Sequence, residues 1–233
     1  MNIALILSGG TGTRMGMDIP KQYIRVNGRM IVEYCMDVIF SSALIDKVCV
    51  VADAGWHSYM EVRIANMKKR HNVDKFMGFA LPGETRQLSV VNGLEKIMEF
   101  AGKEDFVMIH DGARPLVTHD IIQRCFECVE GHEGVMPVLP MKDTIYMSED
   151  GQSISGLIKR EKVFAGQAPE VFALGKYYSA CKALKPEKML AIKGSSEPAV
   201  LYGMDIVMTR GDESNYKITT PDDLRRFEEY VRR

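Results

Sequence analysis

The chain has 233 residues, enough for one or two domains with a buried core, and hydrophobic residues make up 46% of it. Charged residues make up 26%, and these proportions exclude disordered, collagen-like and coiled-coil proteins. Lysine and arginine (30) nearly balance aspartate and glutamate (31), and the net charge of −1 argues against binding of nucleic acid or of an acidic membrane. Any phosphate-binding site is therefore expected to be local.

The environment of the protein can also be predicted from its composition. No hydrophobic run approaches the roughly 18 residues of a membrane span, and the first residues lack the basic start of a signal peptide. The five cysteines are an odd number and widely spaced, which favours reduced thiols and a cytoplasmic location. Cys125 and Cys128 form a C-x-x-C pair in a helix-period stretch with no second Cys or His pair nearby, so buried helical cysteines are favoured over zinc or redox chemistry.

In the first half of the chain, short apolar runs alternate with segments of helical period. The predicted strands cover 3–7, 48–51, 76–81 and 106–109, and the predicted helices cover 30–39, 56–70 and 88–98. This alternation predicts an α/β fold in which a mostly parallel, twisted sheet with right-handed crossovers is flanked by helices. We expect one Rossmann-like domain over 1–233.

The pattern changes in the second half. The remaining predicted elements are a strand over 135–138, a helix near 175–184, a strand over 206–208 and a helix that begins after the N-cap Thr220. Between them, 140–166 alternate irregularly around Glu149-Asp150-Gly151, which is a hairpin-turn signal. We interpret 140–166 as a β-arm that projects from the domain.

A glycine-rich segment follows the first predicted strand and reads Leu7-Ser8-Gly9-Gly10-Thr11-Gly12-Thr13-Arg14-Met15-Gly16. Its glycines let the backbone approach a ligand, and its N–H groups can form an anion-binding nest for phosphate. The dinucleotide fingerprint G-x-G-x-x-G does not fit, because the last glycine comes one residue late and no acidic residue ends the second strand. The phosphate loop does not fit either, because Gly-Lys-Ser/Thr is missing. The segment alone therefore indicates a nucleotide of undefined kind.

Further residues bring charge and donors to this loop. Arg14 and Lys21 can stabilise charge on a transferring phosphoryl group, although either cation alone is more simply explained as a solvated surface residue. Residues 82–90 form a turn that leads into a helix whose first turn offers Ser89 and free N–H groups. Asp111 follows the fourth predicted strand and is placed to hold Mg²⁺ through an oxygen.

Taken in order, these segments resemble those of the cytidylyltransferases that act on 2-C-methyl-D-erythritol 4-phosphate and on ribitol 5-phosphate or other polyol phosphates. The matching motifs run nearly end to end and comprise the glycine loop with Arg14, Pro20-Lys21-Gln22, Gly83 through Arg86 to Ser89-Val90, His110-Asp111 with Ala113-Arg114-Pro115, Asp143-Thr144, Arg160, Gln167 with Pro169, and Gly211 with Asn215 and Lys217-Ile218-Thr219. The resemblance implies a nucleotidyltransferase fold. It also implies an enzyme that joins CMP from CTP to a polyol phosphate and releases pyrophosphate.

The resemblance implies roles for individual residues. Those implied to act on the transition state are Arg14, Lys21 and Lys217. Those implied to bind the nucleotide are Leu7, Ser8, Gly9, Gly10, Gly12, Gly83, Arg86 and Ser89. Those implied to bind the acceptor are Asp111, Arg114, Thr144 and Arg160, and Asp111 is also the implied Mg²⁺ ligand. A homodimer through the arm is implied too, with Arg160 serving the neighbouring subunit's site. Because the acceptor phosphate is already anionic, the reaction needs neither a covalent intermediate nor a general base.

Two departures from the erythritol enzymes fall on the acceptor side. Ala168 stands where those enzymes commonly have the threonine of Gln-Thr-Pro, and 194–199 read Gly-Ser-Ser-Glu-Pro-Ala in place of a Thr-Asp-(Asp/Glu)-Ala-Ser stretch. We therefore expect a ribitol 5-phosphate-like acceptor, with the 2-C-methyl-D-erythritol 4-phosphate enzyme of isoprenoid biosynthesis as the alternative. A nicotinamide-dependent oxidoreductase would need the regular fingerprint. A non-catalytic nucleotide sensor would have little use for Arg14, Lys21 and Asp111 together.

Overall fold

A computed structural model describes residues 1–10 and 19–232, so the predicted roles of Gly12 and Arg14 lie outside the described residues. The strands are β1 (Asn2–Leu7), β2 (Arg25–Val26), β3 (Arg29–Met30), β4 (Lys47–Val51), β5 (Phe76–Ala80), β6 (Phe106–Asp111), β7 (Gly134–Pro140), β8 (Ile145–Met147), β9 (Gly156–Ile158), β10 (Phe164–Gly166), β11 (Glu170–Ala173) and β12 (Ile206–Arg210). The helices are α1 (Ile31–Ser41), α2 (Ala54–His71), α3 (Arg86–Met98), α4 (His119–Cys128), α5 (Leu174–Lys182), α6 (Pro186–Ala191), α7 (Ser196–Leu201) and α8 (Pro221–Arg232). Short 3₁₀ helices occur at Lys21–Tyr23 and Arg160–Lys162.

The central sheet contains eight strands within the described ranges, in the order β10-β7-β11-β6-β1-β4-β5, and β12 also pairs with β7. The pairs β1–β4, β1–β6, β4–β5 and β7–β12 are parallel, whereas β10 and β11 run antiparallel to their neighbours. The predicted α/β fold with a mostly parallel sheet flanked by helices is confirmed. The antiparallel strands β10 and β11 are additions to the predicted set.

Both faces of the sheet are covered. Along β1, Ala4 and Ile6 pack in a cluster with α1, α2 and α4, whereas Ile3 and Leu5 pack in a cluster with α3, α5 and α7. All four side chains are fully buried. A strand that is covered on both sides needs apolar residues at consecutive positions, which explains why β1 is an unbroken apolar run rather than an alternating one.

The predicted arm contains the β8–β9 hairpin, in which Ile145 pairs with Ile158. Asp150 holds its turn, because Oδ1 accepts hydrogen bonds from the backbone N–H groups of Gln152 (2.8 Å) and Ser153 (2.7 Å). The last residues of the predicted segment, Phe164–Gly166, form β10 and belong to the main sheet. We therefore use the term arm for 141–163, a shorter projection than the predicted 140–166.

Two predictions about the environment can be compared with the structure. Cys125 and Cys128 lie in α4, Cys125 is fully buried, and all five cysteines are free thiols. Both cysteines are helical, as predicted, and the prediction of burial is confirmed for Cys125, whereas Cys128 is only partly buried. Among the helices of the described residues, none has the length and hydrophobicity to cross a membrane.

The register of the sheet brings the predicted site residues to one edge. Leu7, at the end of β1, pairs with Val51 of β4 and with Asp111 of β6. The N–H of Gly112 donates to the carbonyl of Leu7 at 2.9 Å. Open α/β sheets bind ligands at the carboxyl ends of their strands, and here Leu7, where the glycine-rich segment begins, lies beside Asp111 at this edge.

Candidate active site

Asp111 lies at the carboxyl end of β6 with three cationic side chains around its carboxylate. Arg86, the first residue of α3, donates to Oδ1 from Nη2 at 3.0 Å and from Nε at 3.3 Å. The Nζ of Lys217 lies 3.0 Å from Oδ2, and the Nε of Arg114 lies 3.7 Å from the same oxygen. Burial alone would raise the pKa of Asp111, but Arg86, Lys217 and Arg114 outweigh burial and hold this pKa well below its usual range.

Arg86, Arg114 and Lys217, together with the Asp111 carboxylate that they surround, are called the cation cluster below. The cluster has an excess of positive charge. One carboxylate faces three cations, and the buried Nη1 of Arg86 has no hydrogen-bond partner among the described residues. A buried donor of this kind is normally paired, and a guanidinium pairs best with carboxylate or phosphate oxygens. The cluster is therefore suited to bind an anionic substrate at the edge where the glycine loop lies.

The start of the glycine loop is held by two side chains whose positioning role is a finding of the structure. The Nε2 of Gln22 donates to the carbonyls of Ser8 (2.8 Å) and Gly10 (2.6 Å), and the hydroxyl of Tyr23 donates to Ser8 at 2.8 Å. Tyr23 stacks on Trp56 with ring centroids 4.0 Å apart. Lys21, the predicted catalytic residue, directly precedes Gln22, so these contacts hold it near the end of β1, where Leu7 and Ser8 lie. Buried polar contacts of this kind cannot be predicted from sequence spacing.

The second predicted nucleotide-binding loop packs tightly against the first. A Cβ on Gly9 would lie 2.4 Å from the Cβ of Pro82, and a Cβ on Gly83 would lie 2.4 Å from that of Leu88, so both positions require glycine. The N–H of Gly83 donates to the Ser89 hydroxyl at 3.0 Å, and that hydroxyl donates to the carbonyl of Thr85 at 2.9 Å. In this structure the Ser89 hydroxyl proton and the Gly83 N–H hold the turn itself, and the roles of Gly83 and Ser89 in binding the pyrimidine stay predictions.

His110 and the arm residues have distinct environments. Burial lowers the pKa of the fully buried His110 to about 4, so its ring is neutral at pH 7 and bonds the carbonyl of Arg114 at 3.0 Å through Nε2. It holds the turn that carries Arg114.

The predicted acceptor-binding residues Thr144 and Arg160 lie on the arm, where the Nη1 of Arg160 donates to the carbonyl of Lys142 at 2.8 Å. The structure brings Arg86, Asp111, Arg114 and Lys217 together, and the acceptor roles of Thr144 and Arg160 stay predictions.

The predicted role of Asp111 as a Mg²⁺ ligand fits the structure poorly. Both of its oxygens are engaged by cations, which would have to be displaced before a metal ion could approach. In the part of the chain that the structure describes, no group of three or more His, Cys, Asp or Glu side chains is arranged to hold a metal ion. The contacts favour a different role for Asp111, the ordering of the three cations. Its role as a Mg²⁺ ligand stays a prediction, and no step below depends on a metal ion bound to it.

A second buried acid lies near the cluster. Glu170, the first residue of β11, pairs with Ile109 of β6 and accepts a hydrogen bond from the hydroxyl of Ser195. It is 6% exposed. Burial raises the pKa of Glu170 to about 7, with Arg86 opposing the rise and the charge of Asp111 adding to it. Glu170 thus titrates near neutral pH beside the cation cluster.

Replacing Glu170 with glutamine is expected to stabilise the protein at pH 8. In the native state Glu170 keeps its proton up to about pH 7, whereas in the unfolded chain it loses the proton near the ordinary value of 4.5, so its contribution to stability falls as pH rises between these values. Glutamine removes this loss and still accepts from Ser195. The free energy of unfolding, from denaturant titration, should rise by about 1 to 3 kcal/mol at pH 8 and stay nearly unchanged at pH 4. Glu133→Gln is the control, because hydrogen bonds from the Lys176 side chain and from the backbone N–H of Asp205 lower the pKa of Glu133 instead of raising it. An equal gain at both pH values would contradict the prediction.

A nucleotidyltransferase is the class of enzyme that this fold and site define. The family model described as IspD: 2-C-methyl-D-erythritol 4-phosphate cytidylyltransferase matches residues 2–233. The chain is 32% identical over 228 residues to a ribitol-5-phosphate cytidylyltransferase of Streptococcus agalactiae serotype V, covering 97% of this chain and 93% of that protein. It is 33% identical over 232 residues to a 2-C-methyl-D-erythritol 4-phosphate cytidylyltransferase of Geobacter metallireducens, covering 98% and 97%. The crystal structure of the Francisella tularensis 2-C-methyl-D-erythritol 4-phosphate cytidylyltransferase superposes with a TM-score of 0.78 at 25% identity, covering 99% of this chain and 98% of that one. The chain belongs to the 2-C-methyl-D-erythritol 4-phosphate cytidylyltransferase family.

Proposed function

We propose that the protein is a CTP-dependent cytidylyltransferase that joins CMP to a polyol phosphate. The cation cluster carries this proposal, because Arg86, Arg114 and Lys217 converge on one carboxylate beside the glycine loop. A site that binds a triphosphate and a phosphorylated acceptor together must offset several negative charges. The family membership of the chain supports the same activity.

The proposed reaction is a displacement at phosphorus. A phosphate oxygen of the acceptor forms a bond to the α-phosphorus of CTP, the bond from that phosphorus to the bridging oxygen breaks, and pyrophosphate leaves with the electron pair. No proton has to be removed from the attacking phosphate, so the protein contributes positioning and electrostatic stabilisation. Lys217 and Arg86, and in the proposal also Lys21 and Arg14, neutralise the charge that develops on the phosphoryl oxygens.

Ribitol 5-phosphate is the acceptor we favour, with 2-C-methyl-D-erythritol 4-phosphate as the alternative. Curated relatives that carry these two names match the chain at similar identity, 32% and 33%. The departures at Ala168 and 194–199 are expected to reshape the acceptor side. Ala168 is 5% exposed and Ser195 is 1% exposed, and the Ser195 hydroxyl donates to Glu170. We therefore propose that both act through the packing of buried residues around the site.

The activity is tested by pyrophosphate release from CTP with a panel of acceptors. The panel contains ribitol 5-phosphate, other pentitol and tetritol phosphates, glycerol phosphate and 2-C-methyl-D-erythritol 4-phosphate, and ATP, GTP and UTP replace CTP in parallel reactions. We expect the highest kcat/KM with CTP and ribitol 5-phosphate. Preference for the methylerythritol compound would select the alternative. Absence of pyrophosphate release with every acceptor would overturn the proposed activity.

Mg²⁺ is part of the proposal, with CTP phosphate oxygens rather than Asp111 as its ligands. Mg²⁺ commonly binds through substrate phosphates. Their negative oxygens are attracted by the cation cluster and can bind the metal ion at the same time. Removal of divalent cations with a chelator is expected to abolish pyrophosphate release, and added Mg²⁺ should restore it. We also propose a cytoplasmic location, which the five free thiols favour.

We further propose that the arm joins two copies of the chain. Tyr146, Ile154 and Leu157 on the arm are 56%, 69% and 66% exposed, and Tyr146 pairs with Leu157 across the hairpin. Exposed apolar side chains that lie together favour a protein partner. Arg160 lies on the same arm, which is consistent with its predicted service to the neighbouring subunit's site, and Thr144, a predicted acceptor-binding residue, lies on the arm as well.

Leu157→Asp is expected to raise the dissociation constant of this dimer by at least about tenfold, because it puts a charge in place of an exposed leucine that the proposed dimer would bury. Sedimentation velocity over a concentration series measures the constant. Leu190→Asp, at a residue of α6 that is 56% exposed, is the matched control and should leave it unchanged. A monomeric wild-type protein at every concentration would rule out the arm-mediated dimer.

A further inference from the structure

Residues 211–218, which lie between β12 and α8, include Lys217 and are hydrogen-bonded to their surroundings at several points. The N–H of Ile218 donates to the carbonyl of Ala113 at 2.9 Å, and the Nη1 of Arg114 donates to the carbonyl of Asn215 at 2.6 Å. The side chain of Asn215, which is fully buried, donates to the carbonyl of Ala168 at 2.7 Å. The segment is therefore held from the side of β6 and from the turn that precedes β11.

Gln167 makes the densest set of contacts with this segment. Its Oε1 accepts from the N–H of Asp212 at 3.0 Å, and its Nε2 donates to the carbonyl of the same residue at 2.9 Å. The Nε2 also lies 3.4 Å from the carbonyl of Asn215. Only a primary amide offers a donor and an acceptor side by side, so neither glutamate nor an apolar residue can replace these bonds. Gln167 is 6% exposed, which makes the bonds costly to lose.

Gly211 shows how closely the amide approaches the backbone. A Cβ on Gly211 would lie 2.5 Å from the Oε1 of Gln167 and 3.0 Å from the carbonyl oxygen of Val138. The segment can therefore reach Gln167 only with glycine at this position. Gly211 and Gln167 form one contact that can be disturbed from either side.

We propose that Gln167 is a positioning residue for Lys217: its amide fixes residues 211–218 so that the Nζ of Lys217 reaches Asp111 and the reacting phosphate. The chain of contacts runs from Gln167 to Asp212 and Asn215, and two residues further along the backbone to Lys217, whose Nζ lies 3.0 Å from Asp111. Lys217 is only partly buried, with 30% of its side chain exposed, so a loosened segment would let its ammonium group turn towards solvent. This inference rests on the proposed function for its kinetic consequence, but the position of Lys217 can be measured without it.

The first test measures the position of Lys217 directly. Gln167→Glu keeps the size of the side chain but turns the donor into an acceptor that faces the carbonyls of Asp212 and Asn215. Lysines are labelled with an amine-reactive reagent, and the labelling of Lys217 is followed by mass spectrometry with Lys159 as the internal standard. We expect Lys217 to be labelled faster by about threefold in the variant, the change that corresponds to losing a partly exposed ion pair. Gln123→Glu, a surface amide on α4, is the matched control and should give the wild-type rate.

The second test is kinetic. Gln167→Glu is expected to lower kcat by about 10²-fold, since a displacement of about 1 Å can have that effect, with KM for CTP changed little. In the background of Lys217→Ala the same substitution should have almost no further effect, because its effect passes through Lys217. If Gln167→Glu fails to fold, Gly211→Ala disturbs the same contact from the other side and should raise the labelling of Lys217 in the same way.

The outcomes separate the two hypotheses. Unchanged labelling of Lys217 in both variants, or kinetic effects that add fully to those of Lys217→Ala, would overturn the positioning role of Gln167. A wild-type protein that releases no pyrophosphate with any acceptor would overturn the proposed function, while the labelling result would still decide whether Gln167 positions Lys217.

Discussion

Lys217→Ala is expected to lower kcat by about 10²-fold or more, which is the effect of removing one preorganised group that stabilises transition-state charge. The Nζ of Lys217 is held 3.0 Å from Asp111, at the edge of the sheet where the glycine loop and Arg86 also lie. In the proposed reaction, a lysine in this position would meet the negative charge that builds up as the bond to pyrophosphate breaks. Its effect should therefore appear in kcat at saturating CTP and acceptor, measured by pyrophosphate release.

Lys176→Ala is the matched control for this substitution. Lys176 is 61% exposed, forms an ion pair with Glu133, and lies in a groove beside Phe106, at the end of β6 opposite to Asp111. We expect its removal to leave kcat unchanged. A loss of less than about tenfold in Lys217→Ala, roughly 1.4 kcal/mol, would show that Lys217 does not act on the transition state.

The parallel part of the fold could be predicted from the sequence because its signals are local. β1, β4 and β6 are apolar runs covered on both faces, and the helices between them have a clear helical period. The β2–β3 hairpin also has a local signal: Asn27 and Gly28 form its turn with φ angles of 49° and 78°, and an Asn-Gly pair is a strong indication of a hairpin. That element is readable from sequence alone.

β11 shows why other elements could not be predicted from the sequence. It has four residues, begins with an acidic residue, Glu170, directly after Pro169, and lies between β6 and β7 in the sheet. A strand of this length that starts with an acidic residue has no pattern that separates it from a loop. Its place was settled by long-range pairing with Ile109 and Val135, which sequence spacing does not encode.

The candidate active site, like the fold, could be predicted only in part. The glycine loop, Asp111 and Arg114 follow predicted strands directly, so their place at the carboxyl edge could be predicted. The partners of Asp111 could not, because Arg86 comes from α3 and Lys217 from the segment after β12, and only the folded register brings them together. For this reason the carboxylate suggested a metal ligand in the sequence and proved to be surrounded by cations in the structure.

Asp111→Asn is expected to lower both the stability and the kcat of the protein. The substitution keeps the shape of the side chain and leaves Arg86, Arg114 and Lys217 without a counter-charge. The free energy of unfolding should fall by about 2 to 3 kcal/mol, near the lower end of the range for breaking a buried ion pair because Arg86 and Lys217 are partly exposed. kcat should also fall by at least about tenfold, because the cations lose the group that fixes their geometry.

Asp37→Asn provides a matched control for this prediction. Asp37 also contacts three basic groups, Arg29 (3.2 Å), Arg70 (2.8 Å) and His71 (2.8 Å), but it lies on α1 and Arg70 is 55% exposed. Its loss should therefore cost about 1 kcal/mol or less and leave kcat unchanged.

An added anion distinguishes a cation cluster from a metal site. Pyrophosphate is expected to bind the folded protein and to raise Tm, and to raise it further in Asp111→Asn than in the wild type, because the three cations then no longer face the carboxylate of Asp111. A protein that used Asp111 chiefly as a metal ligand would behave differently: the variant would lose its response to pyrophosphate plus Mg²⁺ and gain no response to pyrophosphate alone. Thermal unfolding of the wild type, Asp111→Asn and Asp37→Asn in the presence and absence of pyrophosphate and Mg²⁺ therefore decides whether the carboxylate orders the cations or binds a metal ion.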